Sequence, residues 1–174
     1  MFCLKDDIFK LSLSDVANAT AHTPSLSSVP SQLYAKTSSR QETGGSILAG
    51  VDLKAILKEV LAMHEKWVTS AGKEGARLSV RNAYLQEADL HGANLEDADL
   101  EGARLSVADL MQANLRRANL RNADFWMADL KDANLQGADL QGANLSDVTN
   151  LTQTQIDSAI ISETTVLPAG LRRS

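Results

Sequence analysis

An apolar residue returns at every fifth position along the central part of the chain, through Val80, Leu85, Leu90, Leu95 and on to Leu145. Alanine stands two positions before each of them, from Ala83 to Ala143, with Leu78 the one exception. Asp or Asn lies between the two in 11 of 14 units, and no insertion or deletion interrupts the 70 residues from Leu78 to Asp147, so one short unit governs the whole tract. A period of five fits neither regular element. At 3.6 residues per turn an every-fifth leucine advances by about 500° and spirals around a helix. On a strand, successive leucines fall on opposite faces. The leucines can share one interior only if the chain turns once per unit, which makes the tract a solenoid. Asp and Asn suit such turns because their side chains bond nearby backbone amides. Gly92, Gly102, Gly137 and Gly142 follow the apolar residue by two, where a positive φ is easy for glycine.

The flanks follow other patterns. In the segment 46–75, Leu53, Ile56, Leu57, Val60, Leu61, His64, Trp67 and Val68 recur at three- and four-residue steps. Lys54, Lys58, Glu59, Glu65 and Lys66 take the other side, which predicts an amphipathic helix. Asp52 is the expected N-cap and Gly72 the expected stop. His64 borders the apolar stripe, and its plain reading is a partly buried packing residue rather than a ligand or a base. In the segment 151–174, Thr152 and Gln155 form a capping-box pattern. It predicts a short helix over 153–160 whose Ile156, Ile160 and Ile161 cover the last coil. Residues 1–45 are rich in Ser, Thr, Ala and Pro and predict a flexible tail, with a short helix at Asp6 to Leu13. The N-terminal residues lack the basic and apolar regions of a secretory signal. A Ser-rich segment also suits a transit peptide, which would place the protein in an organelle or its lumen. Asp6 and Asp7 argue against that, and the expected location is cytoplasmic.

The stretch Ala93-Asn94-Leu95-Glu96-Asp97-Ala98-Asp99-Leu100-Glu101-Gly102 resembles the pentapeptide-repeat family unit for unit. The resemblance implies an all-β solenoid, a right-handed quadrilateral β-helix over 76–150. Four units make a coil of about 20 residues, giving about 3.5 coils and a length of roughly 17 Å at the usual interstrand spacing. Both ends of such a stack need covering. The N-terminal helix is expected to cap the first coil through Leu53, Ile56, Val60 and Trp67, and a short C-terminal cap to cover the last.

Composition narrows the function. Aromatic residues are 4% of the chain, so the core is built from small aliphatics. Cys3 is the only cysteine, which excludes an intrachain disulfide. His22, His64 and His91 are dispersed and lack cysteine companions, so no zinc site is expected. No apolar run reaches the ~20 residues of a membrane helix. A net charge of -5 disfavours direct nucleic-acid binding. The carboxylates follow the repeat rather than converge, and a leucine-filled axis leaves no substrate cavity. The chain is therefore expected to be no enzyme and to need no cofactor.

Sorting outward positions at 20-residue intervals singles out two features. Val107, Met111, Trp126 and Met127 are large apolar side chains at outward positions, which suggests a protein-contact patch. Asp89, Asp109 and Asp129 stack on one face. The plain reading is that each bonds its own turn, and the sharper one is a weak divalent-cation ladder. The expected function is a non-enzymatic structural or protein-binding scaffold, its partner an unidentified protein or a second copy in a homodimer. The family resemblance brings an alternative, an acidic DNA mimic that modulates a topoisomerase or another DNA-binding protein. Duplex DNA carries about one charge per 1.7 Å, or about ten over this length. The tract from 78 to 147 holds 12 Asp+Glu against 6 Lys+Arg, with Arg116, Arg117 and Arg121 interrupting the acidic run, so mimicry fits less well.

Overall fold

The computed structural model describes residues 53–173, and the expected tail over 1–45 and the Asp52 cap lie outside the described residues. Each unit of the repeat makes the same turn. The amide of the alanine donates to the carbonyl of the apolar residue three positions earlier, as Ala83 does to Val80 and Ala118 to Leu115, through to Val148 and Leu145. The residue just before the donor takes φ between 55° and 73° in all fourteen units. Four of these are the expected glycines, but ten are other residue types, so the turn imposes the left-handed conformation whatever the side chain. A positive φ at the third turn position is the mark of a type II turn.

The turns stack with a register of 20 residues. Parallel bridges join Ser79 to Asp99, Tyr84 to Arg104, Asp89 to Asp109 and Asn94 to Asn114, and the same step continues to Asp129 and Thr149. Three backbone bonds tie each unit to the coil beyond it: Leu85 N–H to the Arg104 carbonyl, Arg104 N–H to Ala83, and Glu87 N–H to Ser106, at 2.8 to 3.0 Å. Four units therefore close one coil. The chain bends every five residues, so the ladder consists of isolated bridges rather than long strands.

The apolar positions fill the axis. Leu105, Leu110, Leu115, Leu120, Phe125, Leu130, Leu140 and Leu145 are all at 0% exposure, and nearly all the alanines at the corners are as closed. Burial of each leucine side chain contributes about 1.5–3 kcal/mol. Phe125 occupies a leucine position without opening the stack.

Helix α1, Leu53–Thr69, precedes the stack. Leu57 is buried in the core cluster, with Val60 and Leu61 packed against it. The side chains of Leu53 and Ile56 lie outside the described ones. Trp67 is half-buried and stacks on His64 rather than joining the core cluster. His64 is fully buried, not partly so as its place on the stripe suggests. The helix stops one residue earlier than expected. Ala71, at φ 53°, takes the left-handed place, its N–H bonding Val68 while Gly72 N–H bonds Trp67. That pair of bonds is a Schellman motif.

At the other end α2, Gln153–Ser158, opens with the expected capping box between Thr152 and Gln155. Gln155 Nε2 donates to the carbonyls of Leu130 and Ala133, and Thr165 Oγ1 to that of Leu140. Of these carbonyls Ala133 has no further coil to pair with, while Leu130 and Leu140 also accept the amides of their own turns. The expected extent of α2 needs correction. It ends at Ser158, after which Ile160 bridges Asp139 and Val166 bridges Asn144. Ile160 thus takes an outward Asp/Asn position and is 48% exposed, whereas Ile156 is buried and Ile161 packs on the core. Ala159-Ile160-Ile161 and Thr165-Val166-Leu167 are two further units in register with the stack. Among the described residues no helix is long and apolar enough to cross a membrane.

Candidate binding surface

The 20-residue register gathers three of the four residues singled out for protein contact. Val107 and Met127 occupy the same turn position in adjacent coils, and Trp126 precedes Met127 in its turn. Val107 N–H bonds the Trp126 carbonyl at 2.9 Å, so the three share one corner of the coil. They are 48%, 48% and 44% exposed for Val107, Met127 and Trp126. Met111 does not join them. It lies at the next corner, beyond the strand Ala108-Asp109-Leu110, and is half-buried. Val166, unremarked in the sequence, is exposed and stacks over Asn144 on the face that carries Asp124. The signal that could have found it is the triplet Thr165-Val166-Leu167, a small residue, an outward one and an aliphatic.

The corner is held rigidly. Trp126 Nε1 donates to Asp147 Oδ2 in the following coil at 3.2 Å, and the Trp126 amide donates to Asp124 Oδ1. The indole is thereby pinned at one edge while much of its surface stays open. Glu87 and Asp147 continue the Val107–Met127 column on either side, so the apolar corner has acidic ends. Arg104 stacks over the Tyr84 ring at 4.5 Å on the same face.

The aspartate ladder follows its plain reading. Asp89, Asp109 and Asp129 each accept the amide two residues on, from His91, Met111 and Lys131, at 2.9 to 3.3 Å. Asn150 Nδ2 reaches both oxygens of Asp129, and His91 Nδ1 lies 3.9 Å from Asp109. Among the described residues no group of three His, Cys, Asp or Glu side chains is placed to hold a metal ion.

Arg116 and Arg117 lie at the corner diagonal to Val107, Arg81 and Arg121 at the turn before the face that carries Tyr84 and Asp124, and all four are engaged. Arg117 contacts Asp97 and Glu96, Arg116 contacts Glu96, Arg81 contacts Asp99 and Glu101, and Arg121 contacts Asp139. The hydrogen bond from Arg117 holds the Asp97 carboxyl below its ordinary range, and the same bond raises the guanidinium in turn. Amide ladders run beside them, from Asn114 to Asn94 and from Asn119 to Asp99. These contacts order the surface and leave little free positive charge there.

Comparison with protein families matches residues 75–114 and 108–147 to pentapeptide repeats, eight copies in all. No curated protein matches the chain. Solved structures do. A pentapeptide-repeat protein from the thylakoid lumen of Arabidopsis thaliana is 28% identical over 48% of this chain and 50% of its own, with a TM-score of 0.36. Rfr23 from the cyanobacterium Cyanothece 51142 is 28% identical over 45% of this chain and 56% of its own, with a TM-score of 0.23. HetL from Nostoc sp. strain PCC 7120, described as involved in regulating heterocyst differentiation, is 32% identical over 48% of this chain and 36% of its own, with a TM-score of 0.22. The chain thus spans little more than half the length of these relatives, or less.

Proposed function

Since the chain belongs to the pentapeptide-repeat family through residues 75–147, we propose that it is a non-enzymatic scaffold whose corner at Val107, Trp126 and Met127 holds a protein partner. The observation that carries this reading is the backbone of Val107. A β-branched residue at φ 61° is strained, and its side chain is 48% exposed, so the packing it brings the stack offsets little of that strain. Large amphipathic side chains at outward positions are what interface centres favour. The buried leucine axis, with its carboxylates spent on turns and ion pairs, argues for binding rather than catalysis. The same reading takes the coil as the right-handed quadrilateral form, with α1 and the C-terminal segment shielding its two open edges from pairing. DNA mimicry is the weaker reading, because Arg81, Arg116, Arg117 and Arg121 offset the acidic residues they contact.

Trp126→Asp tests the proposal. Its circular dichroism is expected to match the wild type, because the side chain is outward. Association, read by light scattering for a second copy and by quantitative pull-down for a partner, is expected to fall about tenfold or more, as for a hot-spot residue. Unchanged association by both measures overturns the reading, and loss of the fold overturns the placement of Trp126.

A further inference from the structure

We propose that His64 is an acid-released latch joining helix α1 to the first coil of the repeat stack. The ring is fully buried at the joint between them. Its Nδ1 accepts the amide of Leu78, the first residue of the repeat tract, at 3.0 Å. Its Nε2 is buried without a hydrogen-bond partner, and its face stacks on Trp67 with centroids 5.8 Å apart. Beside it, the Ala76 N–H donates to the Met63 carbonyl, and a Cβ at Gly75 would meet that carbonyl at 2.1 Å, so the connector lies flat against the helix. The polar part of the joint is thus one imidazole bond and one backbone bond, beside the apolar packing of Leu57, Val60 and Leu61.

The chemistry of the ring makes this joint sensitive to protons. Nδ1 accepts, so the neutral ring carries its hydrogen on Nε2. A second proton must go to Nδ1, where it would face the Leu78 N–H, donor against donor. It would also place a charge in a site closed to water. Burial is the main influence and lowers the His64 pKa; the Glu96 carbonyl opposes it, Arg77 adds to the lowering, and Asp97 and Glu96 pull upward. Of these, Asp97 and Glu96 are already paired with Arg117, and Trp67 on the helix itself is uncharged.

The sign follows. Above the ordinary imidazole value of about 6.5 the ring is neutral whether the joint is closed or open, and the latch holds. As the pH falls below that value the open form takes the proton first. The closed-to-open ratio then drops by up to tenfold per pH unit until the lowered value of the closed form is reached. The repeats keep their own core, so acid opens the joint at Leu78 and leaves the helix held only by the apolar packing of Leu57, Val60 and Leu61.

Native-state hydrogen exchange of the full chain tests this. From pH 7 to pH 5, after correction for intrinsic exchange, the protection of the Leu78 amide is expected to fall by about tenfold and at most about 25-fold, most of it below pH 6. That of Leu115, in mid-stack, is expected to hold. His64→Asn puts a non-titrating acceptor near the place of Nδ1, and its Leu78 protection is expected to be flat with pH. The proposal is overturned if wild-type Leu78 protection is flat, if His64→Asn shows the same fall, or if Leu115 loses protection in step with Leu78. Should His64→Asn leave Leu78 exposed at every pH, an NMR titration of the wild-type ring decides. A drop in Leu78 protection that follows the ring's titration supports the latch, and a ring that titrates near 6.5 with Leu78 still protected sinks it.

Discussion

Val107 offers a direct measure of how much strain the surface carries. Its backbone sits at φ 61° with a branched Cβ, and about half of the residue is exposed. An L-residue in the left-handed region costs about 1–2 kcal/mol, and β-branching places valine toward the upper end. Asparagine tolerates the region well, and Asn82 and Asn122 already occupy the equivalent turn position at 57° and 56°. Val107→Asn therefore relieves roughly 1–2 kcal/mol of strain. Against this stands the apolar contact that the valine methyls retain. A buried methylene is worth ~0.8 kcal/mol, so two half-exposed methyls bring the loss to about 0.8 kcal/mol. The net expectation is a stabilisation of about 0.5–1 kcal/mol, read as a higher urea midpoint at unchanged slope. Val107→Ala keeps a non-glycine Cβ at the same φ while removing the methyls, so it separates the two effects and should be neutral or slightly destabilising. A Val107→Asn protein less stable than wild type by more than about 0.5 kcal/mol would refute the strain argument. If the corner is a binding surface, the stabilised variant should also bind its partner less well.

Two further expectations address the axis and the aspartates. Leu115 is at 0% exposure in mid-stack, and Leu115→Ala should destabilise the fold by about 2–5 kcal/mol in a denaturant melt; a loss below about 1 kcal/mol would contradict its axial place. Asp89, Asp109 and Asp129 are each engaged by a turn amide, so millimolar calcium should leave the melting temperature unchanged and evolve no heat on titration, whereas saturable heat with a raised melting temperature would show that the ladder takes a cation.

Most of the architecture could be read because one constraint repeats. A leucine every five residues leaves the chain no way to bury it but to turn, and the buried column from Leu85 to Leu145 is the result. The readings that missed did so where the constraint is not local. Ile156, Ile160 and Ile161 look like a helical stripe in the sequence, which points Ile160 at the last coil. In the structure Ala159 and Thr165 take alanine positions six residues apart, so a strict period of five passes over both units. Met111 belongs with Val107 only across two faces of the coil, since every five residues bring a corner and four positions carry it to the next one. The stripe places His64 at the edge of a helix face but says nothing of Leu78, whose amide closes over the ring from outside the helix.

The left-handed turn position shows why the candidate surface is only half legible in the sequence. Inside the coil the fold admits small and aliphatic residues, so the sequence there reports structure and little else. At the outward turn it demands φ near 60°, which Gly, Asn and Asp meet most easily. Nine of the fourteen units obey, at Asn82, Gly92, Asp97, Gly102, Asn122, Asp132, Gly137, Gly142 and Asp147. The five that do not are Glu87, Val107, Gln112, Arg117 and Met127. Arg117 has a reason within the fold, its pairing with Asp97 and Glu96. Glu87 and Gln112 are unbranched and keep polar tips in water. Val107 is β-branched, and neither it nor Met127 has a polar tip or an ion pair. They adopt an unfavourable backbone in order to show apolar side chains to solvent, next to each other and beside a pinned tryptophan. Sequence alone can mark these residues as apolar and outward, but only the backbone angle shows that the fold works against them there. Strain that the stack does not use is best explained by something outside it, which is why the corner and not the charged face is the place to look for a partner.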